Sequence, residues 1–370
     1  VKTLPVVACT QCGAPYPEHE NPYLCKCGGV YDFQEFPAFQ GSNGSQKGLW
    51  AYLENSAFWA GKPVVTLGEG NTPLLQVPFA GLPLWLKLES ANPTGSYKDR
   101  GSTVLVSHLK NRGVNSTVED SSGNAGASFA AYCARGSLRC KVFVPESASG
   151  PKRRQIEMFG AELVRVPGPR SEAARAVLAE AAAGVVYGSH AYMPFGLPGI
   201  ATIAYEIVEQ LGVAPHSVIA PVGHGGLLYG IMRGFEAMRD AGAIKDVPFY
   251  VGVQSAACAP VAAGYFAGFP RPQPVTPGET LAEGVKVSSP VRGQAILSRI
   301  KNGKGKMLSV SEAQLKAAYL EMARKGIYCE PTSALVWAAA ALMEKSSAKT
   351  TVAIITGSGY KSVLNQTGIV

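Results

Sequence analysis

Four cysteines open the sequence in a spacing that suits a metal ion. Cys9-x2-Cys12 is followed, after an intervening stretch, by Cys25-x-Cys27. Four thiolates match the tetrahedral preference of Zn2+. Gly13, Gly28 and Gly29 stand where a knuckle has to turn its amides toward sulfur. The remaining cysteines, Cys133, Cys140, Cys258 and Cys329, are scattered in apolar surroundings. That clustering favours a metal knuckle over disulfides. The alternatives are a ribbon that has lost its metal, or a set in which nearby His19 replaces one thiolate.

Four further runs carry chemistry. Pro221-Val222-Gly223-His224-Gly225-Gly226-Leu227 follows an apolar strand and opens a helix. Its glycines let backbone N–H groups approach an anion at the positive helix terminus. Leu228 stands where a dinucleotide fingerprint needs its third glycine, and no Gly-Lys-Ser/Thr follows as in a P-loop. The anion is therefore a single phosphate monoester, unless the run is only a tight strand–helix turn. Ser121-Ser122-Gly123-Asn124-Ala125-Gly126 offers hydroxyls and consecutive amides that suit a carboxylate, or simply a well-capped helix start. In Asn92-Pro93-Thr94-Gly95-Ser96-Tyr97-Lys98-Asp99-Arg100-Gly101, a lysine falls in the first turn of a helix. The macrodipole there disfavours its positive charge, which suits an amine that must form a Schiff base. An ordinary surface lysine is the alternative. Thr356-Gly357-Ser358-Gly359-Tyr360-Lys361 ends the last strand with one hydroxyl.

The elements that must position these runs follow from periodicity. Strands are expected at 84–88, 140–144, 185–187, 217–221, 249–253 and 351–355. Ile200, Ile203, Ala204, Ile207, Val208 and Leu211 recur at helical spacing. Further helices are expected from Gly226 to Asp240 and from Ser311 to Lys325, and alanine-rich ones near 173–183 and 338–341. Strand–helix alternation implies right-handed crossovers and a mostly parallel sheet covered on both faces. In such sheets ligands sit beyond the carboxyl ends of the strands, where the four loops would meet. One lysine, a phosphate cradle, a carboxylate loop and a hydroxyl together suggest pyridoxal phosphate bound to an amino acid.

Composition agrees. With 370 residues, 46% hydrophobic and 16% charged, the chain has a sizeable core, which excludes disorder as the main state. No apolar run approaches a bilayer span and no secretory leader is read, so a cytoplasmic protein without membrane contact is expected. The net charge of +8 permits nucleic acid, but the basic residues are spread along the chain, with only Lys152-Arg153-Arg154 clustered. No nucleic-acid partner is expected.

The runs Leu67-Gly68-Glu69-Gly70-Asn71-Thr72-Pro73-Leu74, Pro-Thr-Gly-Ser-Tyr-Lys-Asp-Arg, Ser-Ser-Gly-Asn and Gly-His-Gly-Gly-Leu resemble those of threonine synthases. So do Glu330-Pro331-Thr332-Ser333-Ala334 and Thr-Gly-Ser-Gly. These enzymes belong to the tryptophan-synthase-β (fold type II) group of pyridoxal-phosphate enzymes. The resemblance spans 67–361 and includes the N-terminal ribbon. It implies an α/β fold: a two-lobed body with mostly parallel twisted sheets, plus a small N-terminal zinc-ribbon-like module. The module takes 1–35, a larger cofactor-binding lobe 36–90 with 199–370, and a smaller lobe 91–198. A ribbon metal would sit on Cys9, Cys12, Cys25 and Cys27.

By the same resemblance Lys98 carries the cofactor and, once released, moves the Cα proton. Asn124 contacts the ring hydroxyl oxygen. Gly223, His224, Gly225, Gly226 and Leu227 bind the cofactor phosphate through backbone amides. Thr356 faces the pyridine nitrogen, where a neutral hydroxyl leaves that nitrogen largely unprotonated and favours elimination or replacement. Ser121, Ser122, Gly123, Asn124 and Ala125 hold the substrate carboxylate. A small amino-acid substrate and a homodimer are the family expectation.

The sequence departs from the pattern at Ala125, where threonine is usual. It departs again at His190-Ala191-Tyr192-Met193-Pro194-Phe195-Gly196-Leu197-Pro198-Gly199. Gly196 takes the place of the arginine that serves a substrate phosphate, and a phosphate dianion without a cation in a partly dry site is costly. Tyr192 and Phe195 suggest a more apolar pocket, and His190 and His224 are candidate acid/base groups or packing residues. The leading named activity is a carbon–oxygen lyase converting O-phosphohomoserine to L-threonine. The alternatives are a serine/threonine ammonia-lyase, or a β-replacement enzyme acting on a β-substituted alanine. A catalytically inactive zinc-ribbon binding protein is the reading from another class.

Overall fold

The computed structural model describes residues 6–362 apart from 43–46, 55, 57, 60, 81, 147–149, 302 and 344–348. Gly41-Ser42-Asn43-Gly44-Ser45 reads as a short flexible linker, and from Asn43 onward it lies outside the described residues. The chain divides into two compact units, Val1–Gly70 with Asn92–Thr202, and Asn71–Ala91 with Ile203–Val370. Residues 36–70, expected with the larger lobe, belong to the first unit. Trp50, Leu53 and Trp59 there bury themselves with Val104. Buried Glu69 accepts from Trp50 Nε1 at 3.0 Å and from the Tyr132 hydroxyl at 2.6 Å.

The first unit is built on four parallel strands in the order Glu162–Val166, Arg139–Pro145, Ser116–Glu119, Val186–Tyr187. Alternate side chains leave opposite faces of such a sheet. Val142 and Val144 pack with Leu105 and Leu109 of helix Lys98–Asn111 and with Phe129 and Ala130 of helix Asn124–Gly136. Phe143 joins Ala173 and Val177 of helix Arg170–Ala182 instead. Each fully buried Val or Leu contributes roughly 1.5–3 kcal/mol. Ser116–Glu119 is the strand expected ahead of the Ser121 loop; it is absent from the apolar runs because its residues are mostly polar, yet Thr117, Val118 and Glu119 are all buried.

The ribbon belongs to this same unit. Its strands Val7–Cys9 and Tyr31–Phe33 pair antiparallel. Tyr16 meets Phe195 edge-to-face at 4.8 Å, and Arg112 reaches the Asn21 side chain and the carbonyls of Pro17, Glu18 and Glu20. Phe195 also stacks on His108 at 3.6 Å and is 2% exposed, so it is core and not the pocket wall expected of it.

The second unit holds six strands in the order Gly305–Val310, Phe249–Ser255, Ser217–Pro221, Thr351–Ile355, Leu82–Leu88, Leu74–Phe79. Only Leu74–Phe79 runs antiparallel to its neighbour. Ile219, Val251, Val253, Ala353 and Ile355 pack in one core with helix Pro331–Ala341, which is apolar all round and buried along most of its length. Lys87, on strand Leu82–Leu88, is buried; its Nζ donates to Glu206 Oε2 and the Thr72 carbonyl at 2.7 Å, and to Gln210 Oε1 at 2.9 Å. The expected helices appear as Leu197–Leu211, Gly226–Asp240 and Glu312–Arg324. The last is opened by Ser311 in a reciprocal capping box with Gln314. Among the described residues no helix is long and apolar enough to cross a membrane.

Candidate active site

In the first unit, Lys98 is the first residue of helix Lys98–Asn111. The turn before it is fixed by buried Asp99, which accepts from the Thr94 amide and hydroxyl, both at 2.6 Å. Gly95 takes φ +83°, a conformation that suits glycine. Buried Arg100 donates to the Thr202 hydroxyl at 2.9 Å. A Cβ on Gly199 would lie 1.8 Å from the Arg100 carbonyl, so the segment after Pro198 presses directly on the lysine turn. The Lys98 ammonium lies 5.0 Å from the Tyr97 ring centroid.

The Ser121–Ala125 run leaves the end of strand Ser116–Glu119 and enters helix Asn124–Gly136. Glu119, fully buried, accepts from the Ser121 amide, and Ser121 Oγ accepts from the Gly123 amide at 3.2 Å. The Ser121 and Gly123 amides are thus both engaged within the strand end and the loop. A Cβ on Gly126 would sit 1.8 Å from the Ser121 carbonyl, so only glycine lets the helix start this close to the loop. The other Glu119 oxygen lies 2.8 Å from His190 Nδ1. Burial pushes the Glu119 carboxyl up to about 7, against the lowering effect of the Ser121 amide and the Lys98 charge. Burial, and then the Lys98 charge, hold the His190 imidazole well below its ordinary value. Next to Glu119, Asp120 accepts from the Tyr187 hydroxyl at 2.6 Å. Sequence reasoning missed Glu119; the signal for it was a pair of carboxylates ending a strand immediately before a glycine-rich loop.

Gly196 faces the lysine helix. A Cβ there would come 3.1 Å from the Gly101 carbonyl oxygen and 3.2 Å from its Cα. Any side chain at 196 therefore requires backbone to give way, three residues beyond Lys98.

In the second unit, Pro221 ends a central strand and helix Gly226–Asp240 begins five residues later. Gly225 takes φ +92°, and a Cβ on Gly223 would meet the Gly284 carbonyl at 2.9 Å. A Cβ on Gly226, by contrast, meets nothing within 4 Å. The first N–H groups of a helix have no intrahelical acceptor. Among the described residues the amides of Gly223, Gly225, Gly226 and Leu227 donate to no protein group. A backbone cradle with open space over its glycine fits a phosphate monoester.

Thr356 follows strand Thr351–Ile355 and is 2% exposed. Its hydroxyl donates to Glu330 Oε1 at 2.8 Å and lies 2.9 Å from Ser333 Oγ, which also accepts from the Thr356 amide. Glu330 and Ser333 thus position the hydroxyl. Sequence reasoning met them only as members of a motif, because contacts between positions some 25 apart leave no local pattern.

At the N-terminus the Sγ atoms of Cys9, Cys12, Cys25 and Cys27 all lie within 4.8 Å of one another. Cys9 and Cys27 are 3.5 Å apart and Cys12 and Cys25 3.6 Å apart. Four sulfurs about 2.3 Å from a tetrahedral Zn2+ would be about 3.8 Å apart, so the set fits that ion. A Cβ on Gly29 would reach 2.5 Å from Cys9 Sγ, which is why glycine stands beside the sulfurs. The Cys27 amide draws the Cys25 thiol down to about 6, toward the thiolate that a metal needs.

The family model described as "Pyridoxal-phosphate dependent enzyme" matches residues 65–357. The threonine synthase of Methanocaldococcus jannaschii is 34% identical over 342 residues, covering 88% of this chain and 84% of that protein. The threonine synthase of Mycobacterium leprae is 34% identical over 313 residues, with 80% and 83% covered. Among solved structures, a T.th. threonine deaminase superposes with a TM-score of 0.64 at 26% identity, over 78% of this chain and 92% of that one. A fungal L-serine ammonia-lyase from Rhizomucor miehei gives a TM-score of 0.68 at 23% identity, over 81% and 96%, a likeness of fold alone. With its lysine at a helix start, its glycine-rich strand–helix turn and a family match over most of its length, the chain belongs to the family of pyridoxal-phosphate-dependent enzymes.

Proposed function

We propose that the protein is a pyridoxal-phosphate-dependent lyase of the threonine synthase kind, which removes the Cα proton of a small L-amino acid and then eliminates or replaces a side-chain substituent. When bound, pyridoxal phosphate supplies an electron sink conjugated to the substrate Cα. Lys98 holds the cofactor covalently and, once released, takes the Cα proton on Nζ. The amides of Gly223–Leu227 hold its phosphate, Asn124 its ring hydroxyl oxygen, and Thr356, backed by Glu330 and Ser333, its ring nitrogen. The Ser121–Ala125 loop holds the substrate carboxylate through its hydroxyls and adjacent amides. The observation that carries this reading is the glycine cradle ahead of Gly226, with its unengaged amides, in a chain whose Lys98 opens a helix on a turn fixed by Asp99. Zn2+ on the four N-terminal thiolates is the structural companion.

Conversion of O-phosphohomoserine to L-threonine is the first named activity, on the strength of relatives one-third identical. A second reading, deamination of serine or threonine or β-replacement on a substituted alanine, is favoured by Gly196. Glycine offers no cation to a substrate phosphate there, and a side chain at that position would press on the Gly101 backbone. A substrate panel separates them: purified protein is offered O-phosphohomoserine, serine, threonine and β-substituted alanines, while phosphate, threonine, 2-oxoacid and ammonia are followed. Phosphate plus threonine supports the first reading, and 2-oxoacid plus ammonia from serine or threonine supports the second. No turnover of any of them would refute the proposal.

A further inference from the structure

Strands Ser116–Glu119 and Val186–Tyr187 lie side by side and parallel, with Thr117 and Val118 opposite Val186 and Tyr187. The chain leaves both at the same end of the sheet, the end at which ligands of open parallel sheets bind. Beyond one strand come Glu119 and the Ser121–Ala125 loop; beyond the other comes His190. Buried Glu119 joins them. Its Oε2 accepts from the Ser121 amide, and its Oε1 lies 2.8 Å from His190 Nδ1. A carboxylate on one imidazole nitrogen fixes the orientation of the ring and stabilises the positive charge it gains when its other nitrogen takes a proton. The His190 side chain keeps 21% of its surface exposed, while Glu119 keeps none. The charged groups acting on the pair are Lys98 and Arg170, which disfavour a protonated ring, and Asp120, which favours it.

We propose that His190, oriented by Glu119, exchanges a proton with the oxygen on the substrate's Cβ. The inference rests on the pyridoxal-phosphate reading and deepens it, because both named reactions make or break a bond between Cβ and a hydroxyl oxygen. O-phosphohomoserine carries its phosphate on Cγ, and threonine carries its hydroxyl on Cβ, so a water oxygen has to bond to Cβ. Phosphate leaves Cγ with its bonding pair, Cβ gives up one proton and Cγ gains one, which leaves a double bond between Cα and Cβ. The water's electron pair then forms the Cβ–O bond as the π pair moves to Cα, where Lys98 returns a proton, and the proton the oxygen sheds passes to His190 Nε2. When serine or threonine loses its hydroxyl, the pair left at Cα by the proton taken to Lys98 forms a Cα–Cβ double bond, the Cβ–O bond breaks with its pair on oxygen, and the proton moves from Nε2 to that oxygen to release water. The transfer is one step run in two directions. His190 is the catalytic residue and Glu119 its positioning residue. Lys98 works at Cα, so two proton-handling groups serve two carbons.

The test uses the holoenzyme with L-threonine and O-phospho-L-homoserine as probes. Exchange of the threonine Cα hydrogen in D2O, read by NMR, requires Lys98 and not His190. Threonine formation or 2-oxoacid formation reads the chemistry at Cβ. The variant H190N is expected to lower turnover at Cβ about 100-fold while leaving Cα exchange unchanged. In the wild type, turnover in the water-adding direction rises, and in the water-losing direction falls, as pH passes about 7 and Glu119 gives up its proton. The variant E119Q loses that inflection; if it fails to fold, the split in H190N decides alone. Equal loss of exchange and turnover in H190N, or no loss of either, overturns the proposal. Wild-type protein that turns over neither probe nor any panel member overturns the functional reading itself, and the role of the pair with it.

Discussion

At the scale of single residues, the lesson of this chain is how much chemistry rests on buried charges held by several partners. Lys87 is one that serves structure alone. Its ammonium, 0% exposed, is matched by Glu206 and by two oxygens from Thr72 and Gln210. Glu206 in turn accepts from the Asn71 and Thr72 amides at 2.7 and 3.3 Å, which pins the segment that enters strand Leu74–Phe79. Taking one member away leaves the other buried without its counter-charge, a change that costs about 3–5 kcal/mol. Lys87→Met is therefore expected to lower the unfolding free energy by about 3 kcal/mol in urea titration. A loss within error of zero would show that the remaining polar groups compensate Glu206 unaided. Of such residues the sequence shows only type. Lys98 stood out as a candidate because a lysine in a first helical turn defies the macrodipole, and it does begin a helix. Glu119, Glu330 and Ser333 were not, because their roles come from partners distant in sequence or from strand neighbours that only folding supplies.

At the scale of elements, periodicity and turn chemistry carried far. Strands Ser217–Pro221 and Thr351–Ile355 and helix Gly226–Asp240 stand where apolar runs and a glycine-rich start place them. The short polar strand Ser116–Glu119 carries no apolar pattern that would give its bounds, since its burial is imposed by the neighbours Arg139–Pro145 and Val186–Tyr187. The ribbon is the element whose local logic is most complete. Gly13 and Gly28 take φ +73° and +84°, the conformation that lets consecutive amides turn toward sulfur. Its small apolar surface, led by Tyr31 and Phe33, is anchored on Phe195 and Arg112 of the first unit. Metal analysis of the purified protein is expected to give about one zinc per chain, and Cys9→Ser to lose it. Zinc absent from both, or held equally by both, contradicts the assignment of the four thiolates.

At the scale of the molecule, the candidate residues are found in both units. The first supplies the lysine, the carboxylate loop and the Glu119–His190 pair; the second supplies the phosphate cradle and the Thr356 hydroxyl. A mostly parallel α/β fold was readable from strand–helix alternation, and the ribbon with a two-lobed body came from the family resemblance. The membership of residues 36–70 was not, because it depends on where Trp50 and Trp59 find a partner, and that partner is Val104 in a helix far along the chain. The central claim is that Lys98 bears pyridoxal phosphate. Borohydride reduction of the purified yellow protein, followed by peptide mapping, tests it most directly. The account predicts one stable pyridoxyl adduct, on Lys98, absent from Lys98→Ala. A colourless protein with no adduct, or an adduct on another lysine, would contradict it.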